Sequence, residues 1–453
     1  MHITFIQPAV GHKADGGRYP KTWVMEPLSL AALSALTPGE WGRAFFDDRL
    51  GELRYDVGTD VVCLSVECYT ANRAYQIAER FRRRGVLVVM GGFHATLCPD
   101  EVAEFADAVV CGEAEGVWAE LLEDIKRKAL KARYGGRAFS NVAGEEGAER
   151  SAPEIRHPDR SLFAGRNYGP LNLVETSRGC RFNCEFCSVT KFFGQTYAAR
   201  PLGEVVAEIK ALPKDILFFV DDNLAMDVAR FKALCHALIP LRKHWIGQLS
   251  IHAAHDAELL ALMAESGCAG VLIGFESLHV ETIRDMGKQV NAGHRDFRTA
   301  IENLRRFHLS IYATFVFGYD HDTEETFEET YRFALENKFF FAAFNHLVPF
   351  PGTDVYERFK REGRLLYEDW WRREEVRFGD VVFRPKNFTP ERLAELCQEY
   401  RLKFYSLPSV LRRGNDYSAN AHGLRKMLYF YLSNLTQGKE VARRRGLPFG
   451  DVS

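Results

Sequence analysis

The chain has 453 residues, 46% of them hydrophobic and 26% charged, with a formal net charge of −2. That balance excludes whole-chain disorder and a general nucleic-acid binder, and the length asks for two or three domains. The ten cysteines are expected to be reduced in a cytoplasmic protein, because the start, Met1-His2-Ile3-Thr4-Phe5-Ile6, carries no basic or apolar leader and no apolar stretch reaches the roughly 20 residues that span a bilayer. Clustered cysteines then point to metal rather than to disulfides.

Residues 1–130 alternate strand and helix. Ile3–Gln7, Val61–Val66, Val86–Met90 and Ala108–Cys111 read as buried strands, and Pro27–Leu36, Asn72–Arg84, Val102–Phe105 and Val117–Lys126 as helices. Continuous β-branched runs between helices predict a parallel, doubly wound (Rossmann-like) sheet, with ligands at the carboxyl ends of its strands. Residues 131–170 lose apolar periodicity and read as a linker. Residues 171–351 carry six further strand candidates, Leu171–Glu175, Ile216–Val220, Ile246–Ile251, Gly270–Phe275, Ser310–Phe317 and Phe341–Leu347, alternating with helices. This predicts a partial (β/α)6 barrel of TIM type, with chemistry at the strand C-terminal ends. Residues 352–453 read as mainly helical, with Pro390–Phe404 and Leu424–Leu435 amphipathic. The fold class is α/β.

Directly after the first barrel strand comes Glu175-Thr176-Ser177-Arg178-Gly179-Cys180-Arg181-Phe182-Asn183-Cys184-Glu185-Phe186-Cys187. Three thiolates spaced Cys-x3-Cys-x2-Cys on one loop can bind three irons of a cubane and leave the fourth iron open. The competing reading is zinc, which wants a fourth Cys or His at matching spacing, whereas His157 and His236 lie far off in sequence.

The loop, its place after the first strand, and Phe186 before the third cysteine resemble the radical S-adenosylmethionine superfamily. The resemblance implies a [4Fe–4S] cluster on Cys180, Cys184 and Cys187. It also implies S-adenosylmethionine chelated to the open iron and cleaved to a 5′-deoxyadenosyl radical. It implies cofactor contacts from Phe186 and from successive strand ends: Asp221, Asp222 and Asn223, then Ser250 and His252, then Glu276, then Gly318. The superfamily usually carries Gly-Gly-Glu at the second strand end. Here Asp221-Asp222-Asn223 stands there, which leaves open which of the three takes the cofactor's ammonium. Each polar residue taken singly could equally be a helix cap or a solvated loop group.

Residues 1–130 resemble the cobalamin-binding domain of many radical enzymes, through Gly91-Gly92-Phe93-His94-Ala95-Thr96 after a strand and Gly112-Glu113-Ala114-Glu115. The implied cobalamin contacts are Glu67, Tyr69, Thr70, Gly91, Gly92, His94, Thr96 and Glu113; the loop from Val10 to Met25 is a further candidate. The alternative is an ordinary glycine turn beside an acidic loop. Because Asp-x-His-x-x-Gly is absent, His94 is expected at the corrin edge or nucleotide tail and not on cobalt. Phe350-Pro351-Gly352-Thr353 and Gly363-Arg364 mark the barrel's end, and the tail resembles that of the hopanoid methylases.

The resemblance implies methyl transfer to an unactivated carbon of a hydrophobic substrate, a lipid or tetrapyrrole, or of a natural product. Two alternatives stay open. One is rearrangement, cyclisation, carbon–carbon coupling or oxidation on the same scaffold, with cobalamin non-methylating or absent. The other is an iron–sulfur electron carrier or sensor. A flavodoxin or ferredoxin would supply electrons to a monomer that binds no nucleic acid. The 34 Phe suit a large apolar pocket or simply a core. Residues 401–453 hold ten Lys and Arg against three Asp and Glu, which suits a solvated basic surface or a contact with anionic lipid.

Overall fold

The protein is described from a computed structural model covering residues 1–12, 24–136, 156–288, 290–291 and 296–451. Residues 13–23, from the Val10–Met25 loop, and 137–155, from the linker, lie outside the described residues.

Two six-stranded parallel sheets organise the chain. The N-terminal sheet comprises β1 (His2–Gln7), β2 (Gly42–Asp47), β3 (Val61–Ser65), β4 (Leu87–Gly91), β5 (Ala108–Val110) and β6 (Arg133–Tyr134), in the order β2-β1-β3-β4-β5-β6. Helices cover both faces, so its central strands are apolar throughout: Val61, Val62, Cys63 and Leu64 are all buried. The strand order reverses between β1 and β3, which opens a crevice beyond their carboxyl ends. β2 had no signal in the sequence. It is an edge strand of Gly-Arg-Ala-Phe-Phe-Asp whose alternate side chains reach solvent.

The second sheet comprises β7 (Asn172–Val174), β10 (Ile216–Phe219), β11 (His244–Leu249), β12 (Cys268–Glu276), β13 (Ser310–Phe317) and β14 (Phe341–His346). Each strand pairs in parallel with its predecessor, so the chain winds one way through an open partial barrel. Between β7 and β10 a short hairpin, β8 (Ser177–Arg178) with β9 (Ala198–Ala199), brackets the cysteine loop. One continuous apolar core runs from Ile6 of the first sheet through the barrel to Phe449.

The C-terminal region is helical: Pro390–Phe404, Leu407–Gly414 and Leu424–Arg444, the last extending nine residues beyond its sequence-predicted end at Leu435. These helices are pinned to the barrel by Arg413, which is fully buried. It donates to the carbonyls of Phe339 (2.9 Å), Phe340 (3.0 Å) and Phe404 (2.8 Å) and to Asn434 Oδ1 (3.1 Å), and its guanidinium lies 3.7 Å from the Phe404 ring centre. Burial pushes its pKa down to about 10. Arg413→Ala strands these carbonyls, so we expect a loss of about 2–4 kcal/mol, read as an earlier denaturation midpoint. Lys cannot reproduce the fork and should recover little of it. No described helix is long and apolar enough to cross a membrane.

Candidate active site

The cysteine loop is tied down along its whole length. Gly179 has φ +85°, and a Cβ there would lie 2.2 Å from the Thr196 carbonyl oxygen. The Gly179 N–H donates to Asp222 Oδ2 (2.8 Å). Cys187 N–H closes on the Cys184 carbonyl (3.0 Å), and Glu185 N–H donates to the Met286 carbonyl (3.0 Å). Thr190 Oγ1 donates to the Phe182 carbonyl (3.0 Å), and Arg358 holds the Glu185 carboxylate (2.8 Å).

Cys180, Cys184 and Cys187 are half-buried. Burial pushes the thiols up, Cys180 to about 12 and Cys184 to about 11, with Cys187 also raised. Backbone N–H groups of Phe182, aimed at Cys180, and of Thr190 and Val189, aimed at Cys187, oppose that shift. N–H groups pointing at sulfur are what a thiolate bound to iron needs. Among the described residues no three His, Cys, Asp or Glu side chains converge on a single ion. A cubane asks for a different arrangement, with each thiolate on its own iron. Three sulfurs of one loop, near enough to raise one another's pKa, match that donor set.

The strand-end residues divide into braces and accessible groups. Asp221 is buried and fully engaged: it accepts from Thr176 N–H (3.0 Å), Thr176 Oγ1 (2.7 Å) and Ser177 Oγ (2.5 Å). It therefore fixes the approach to the cysteine loop. Asn223 is paired with Ser250 in both directions (2.8 and 3.2 Å). Asp222 is half-buried, with burial lifting its carboxyl to about 6. His252 meets the Phe182 ring edge-on at 6.3 Å, and Phe186 is half-buried against the core. Gly318 donates its N–H to Asp322 Oδ2 (2.8 Å). Glu276, at φ +62°, is ion-paired with Lys288 (2.5 Å), and that ammonium faces Cys184 and Cys187. Burial alone would lower the Lys288 pKa, but Glu276 and the Cys184 sulfur outweigh it. Lys288 belongs to no motif; only the packing brings it to the loop.

The N-terminal sheet presents its β4 and β5 ends to this loop. Arg178, two residues before Cys180, donates to Glu113 (3.0 Å) and is ion-paired with Glu115 (2.7 Å) from the far domain and with Glu175 (2.9 Å) from its own. Phe93 stacks on Phe192 at 4.4 Å. At the crevice beside β1 and β3, Glu67 reaches solvent, yet surrounding protein lifts its carboxyl to about 7 by burial; a side chain lining a cleft meets both descriptions. Gly92 has φ +105°, and a Cβ there would lie 2.8 Å from the Val66 carbonyl.

The other expected cobalamin contacts are engaged within the protein. His94 Nε2 lies 3.1 Å from Tyr75 Oη and 3.3 Å from Glu101, under the Trp371 ring, and the side chain is sealed from solvent. Tyr69 is ringed by Phe350, Trp370, Phe378 and Phe449 at 5.2–5.7 Å. Thr70 forms a capping box with Glu67. Thr96 donates to the Gly92 carbonyl and accepts from Gly112 N–H. Of this set Glu67 is the side chain that opens to solvent at the crevice, while the Gly91 carbonyl accepts from Val66 N–H (2.8 Å).

Residues 174–334 match the Radical SAM superfamily. The chain is 29% identical over 398 residues to the bacteriochlorophyllide d C-12(1)-methyltransferase of Chlorobaculum tepidum, covering 86% of this chain and 85% of that one. It is 30% identical over 356 residues to the C-8(2)-methyltransferase of the same organism, covering 76% and 78%. In fold it is similar to the cobalamin-dependent S-adenosylmethionine radical enzyme OxsB, solved with aqua-cobalamin bound, at a TM-score of 0.67 and 14% identity over 97% of this chain and 71% of that one. The chain belongs to the radical S-adenosylmethionine superfamily, in the family of the bacteriochlorophyllide d methyltransferases.

Proposed function

We propose that the protein methylates a carbon atom of a hydrophobic substrate of the tetrapyrrole class. In this reading Cys180, Cys184 and Cys187 hold a [4Fe–4S] cluster, the barrel strand ends hold S-adenosylmethionine, and the crevice of the N-terminal sheet holds cobalamin. The observation that carries the reading is the reach of the similarity to the C-12(1)-methyltransferase, which spans 86% of the chain and so takes in both sheets. When bound, the cluster and S-adenosylmethionine supply a carbon-centred radical and cobalamin supplies a methyl group.

The chain's own share is placement and shielding. Lys288, held by Glu276, sets a fixed positive charge beside the cysteine loop, suited to the cofactor's carboxylate. Asp222 and His252 face the same end of the barrel and can accept from its ammonium and ribose. Arg178 joins the two domains at the point where both groups must meet one substrate carbon. A small flavodoxin or ferredoxin delivers electrons to a monomer.

Incubation with methyl-labelled S-adenosylmethionine and chlorophyllide-type substrates tests this. Label should enter the product, with S-adenosylhomocysteine and 5′-deoxyadenosine formed in equal amounts. Deoxyadenosine without S-adenosylhomocysteine on the true substrate would replace methyl transfer by cyclisation, coupling or oxidation.

A further inference from the structure

The outer face of the C-terminal helices carries a ridge of exposed leucines. Leu424, Leu428, Leu432 and Leu435 follow a spacing of four, four and three, which places them on one side of helix Leu424–Arg444. Leu407 and Leu411 are likewise exposed on the helix packed beside it, Leu407–Gly414. All six are 48–77% exposed. The inner sides are spent elsewhere: Phe430 and Asn434 are buried, with Asn434 on Arg413. Six large apolar side chains on two packed helices exceed the scattered exposure of an ordinary surface.

Charge decides what covers the strip. Arg412, Arg425, Lys439, Arg443 and Arg445 are exposed around it. The region's three acidic residues are drawn away. Asp416 is buried against Arg305, and Glu440 is buried and held by Arg444. Asp451 is turned to Arg73 and His12. On the two leucine-bearing helices themselves the exposed charges are therefore all cationic. A second copy of the same face would set cations against cations. A leucine ridge rimmed by Arg and Lys instead suits a helix lying in the headgroup plane, leucines in the acyl boundary and cations on lipid phosphates.

We infer that this face docks the protein reversibly on an anionic lipid bilayer. The inference stands apart from the reading of the reaction. It is tested by co-sedimentation of the full chain, loaded with its cluster, with vesicles of phosphatidylcholine alone or mixed with phosphatidylglycerol. Binding should require phosphatidylglycerol and weaken with salt, since screening shortens to about 8 Å at physiological ionic strength.

The double change Leu428→Ser with Leu432→Ser should weaken binding at least ~10-fold. Arg425→Glu with Lys439→Glu should do so by a similar factor. All four side chains lie on the surface, so melting temperatures should not move. Equal binding to neutral vesicles, no binding at all, or binding indifferent to the leucine change would each overturn the inference. So would a dimer in lipid-free buffer that the leucine change dissolves, which would assign the ridge to self-association.

Discussion

Replacing any one of Cys180, Cys184 and Cys187 by Ala is expected to abolish 5′-deoxyadenosine formation and bring bound iron to background. The three thiols share one loop that the chain holds at Gly179, Phe182, Glu185 and Cys187, so removing one leaves an iron corner without its thiolate. The effect should be all or none, because a cubane with two protein ligands has lost the geometry that the loop was built to give. Cys98→Ala and Cys235→Ala serve as controls: those thiols lie outside the loop, and iron content and turnover should be kept. Iron analysis together with the cluster's visible absorption reads the result. A single loop variant that holds full iron and still produces deoxyadenosine would refute the assignment.

Arg178→Ala should be nearly as damaging, by another route. It leaves Glu113, Glu115 and Glu175 facing one another with no cation, at a cost of about 3–5 kcal/mol. Burial already raises the Glu175 carboxyl above its usual range with the guanidinium present; without the guanidinium it should rise further. A carboxyl raised in the folded state keeps its proton there and releases it on unfolding. The stability it lends is present at low pH and lost as pH climbs through its folded pKa. The melting-temperature gap between variant and native protein should therefore be wider at slightly alkaline pH than at mildly acidic pH. Methyl transfer should fall by about a hundredfold, because the two domains lose their shared anchor beside the reacting centre. Arg178→Ala combined with Glu113→Gln and Glu115→Gln should recover much of the stability. A gap independent of pH would show that the three carboxylates do not depend on Arg178.

The sequence made the barrel legible because parallel strands covered on both sides read as continuous apolar runs. Ser310–Phe317 and Glu324–Glu336 were bounded to the residue. The cysteine loop was legible because its spacing is local. What escaped was whatever depends on partners far along the chain. Arg178 sits in the quoted loop, but its partners Glu113 and Glu115 come from another domain, and before folding all three look like ordinary surface charge. Lys288 follows Asp285-Met286-Gly287 without periodicity or motif, and only the turn after the helix Val280–Asp285 delivers it to the cysteines. Asp221 and Asp222 are neighbours of the same type just beyond β10, and both brace the approach to the cysteines; Asp221 is buried on Thr176 and Ser177, whereas Asp222 holds Gly179 N–H and stays half-buried, a difference no composition reports.

Phe449 and Asp451 close against residues from the opposite end of the chain. Asn72 donates to the Phe449 carbonyl (2.7 Å), Gln76 exchanges two hydrogen bonds with Asp451 (2.7 and 2.9 Å), and Gly450 N–H reaches the Val10 carbonyl (2.8 Å). These contacts cannot form while the ribosome still holds the last stretch. At 5–20 residues per second, the first domain must wait roughly 16–64 s after its own residues emerge before its open flank is covered. Through that interval Tyr69 and the end of β1 lack their final neighbours, so the nascent protein exposes an aromatic surface and is prone to aggregate. A fusion joined tightly after Ser453 would prolong that exposure, whereas one carried on a long flexible spacer would not.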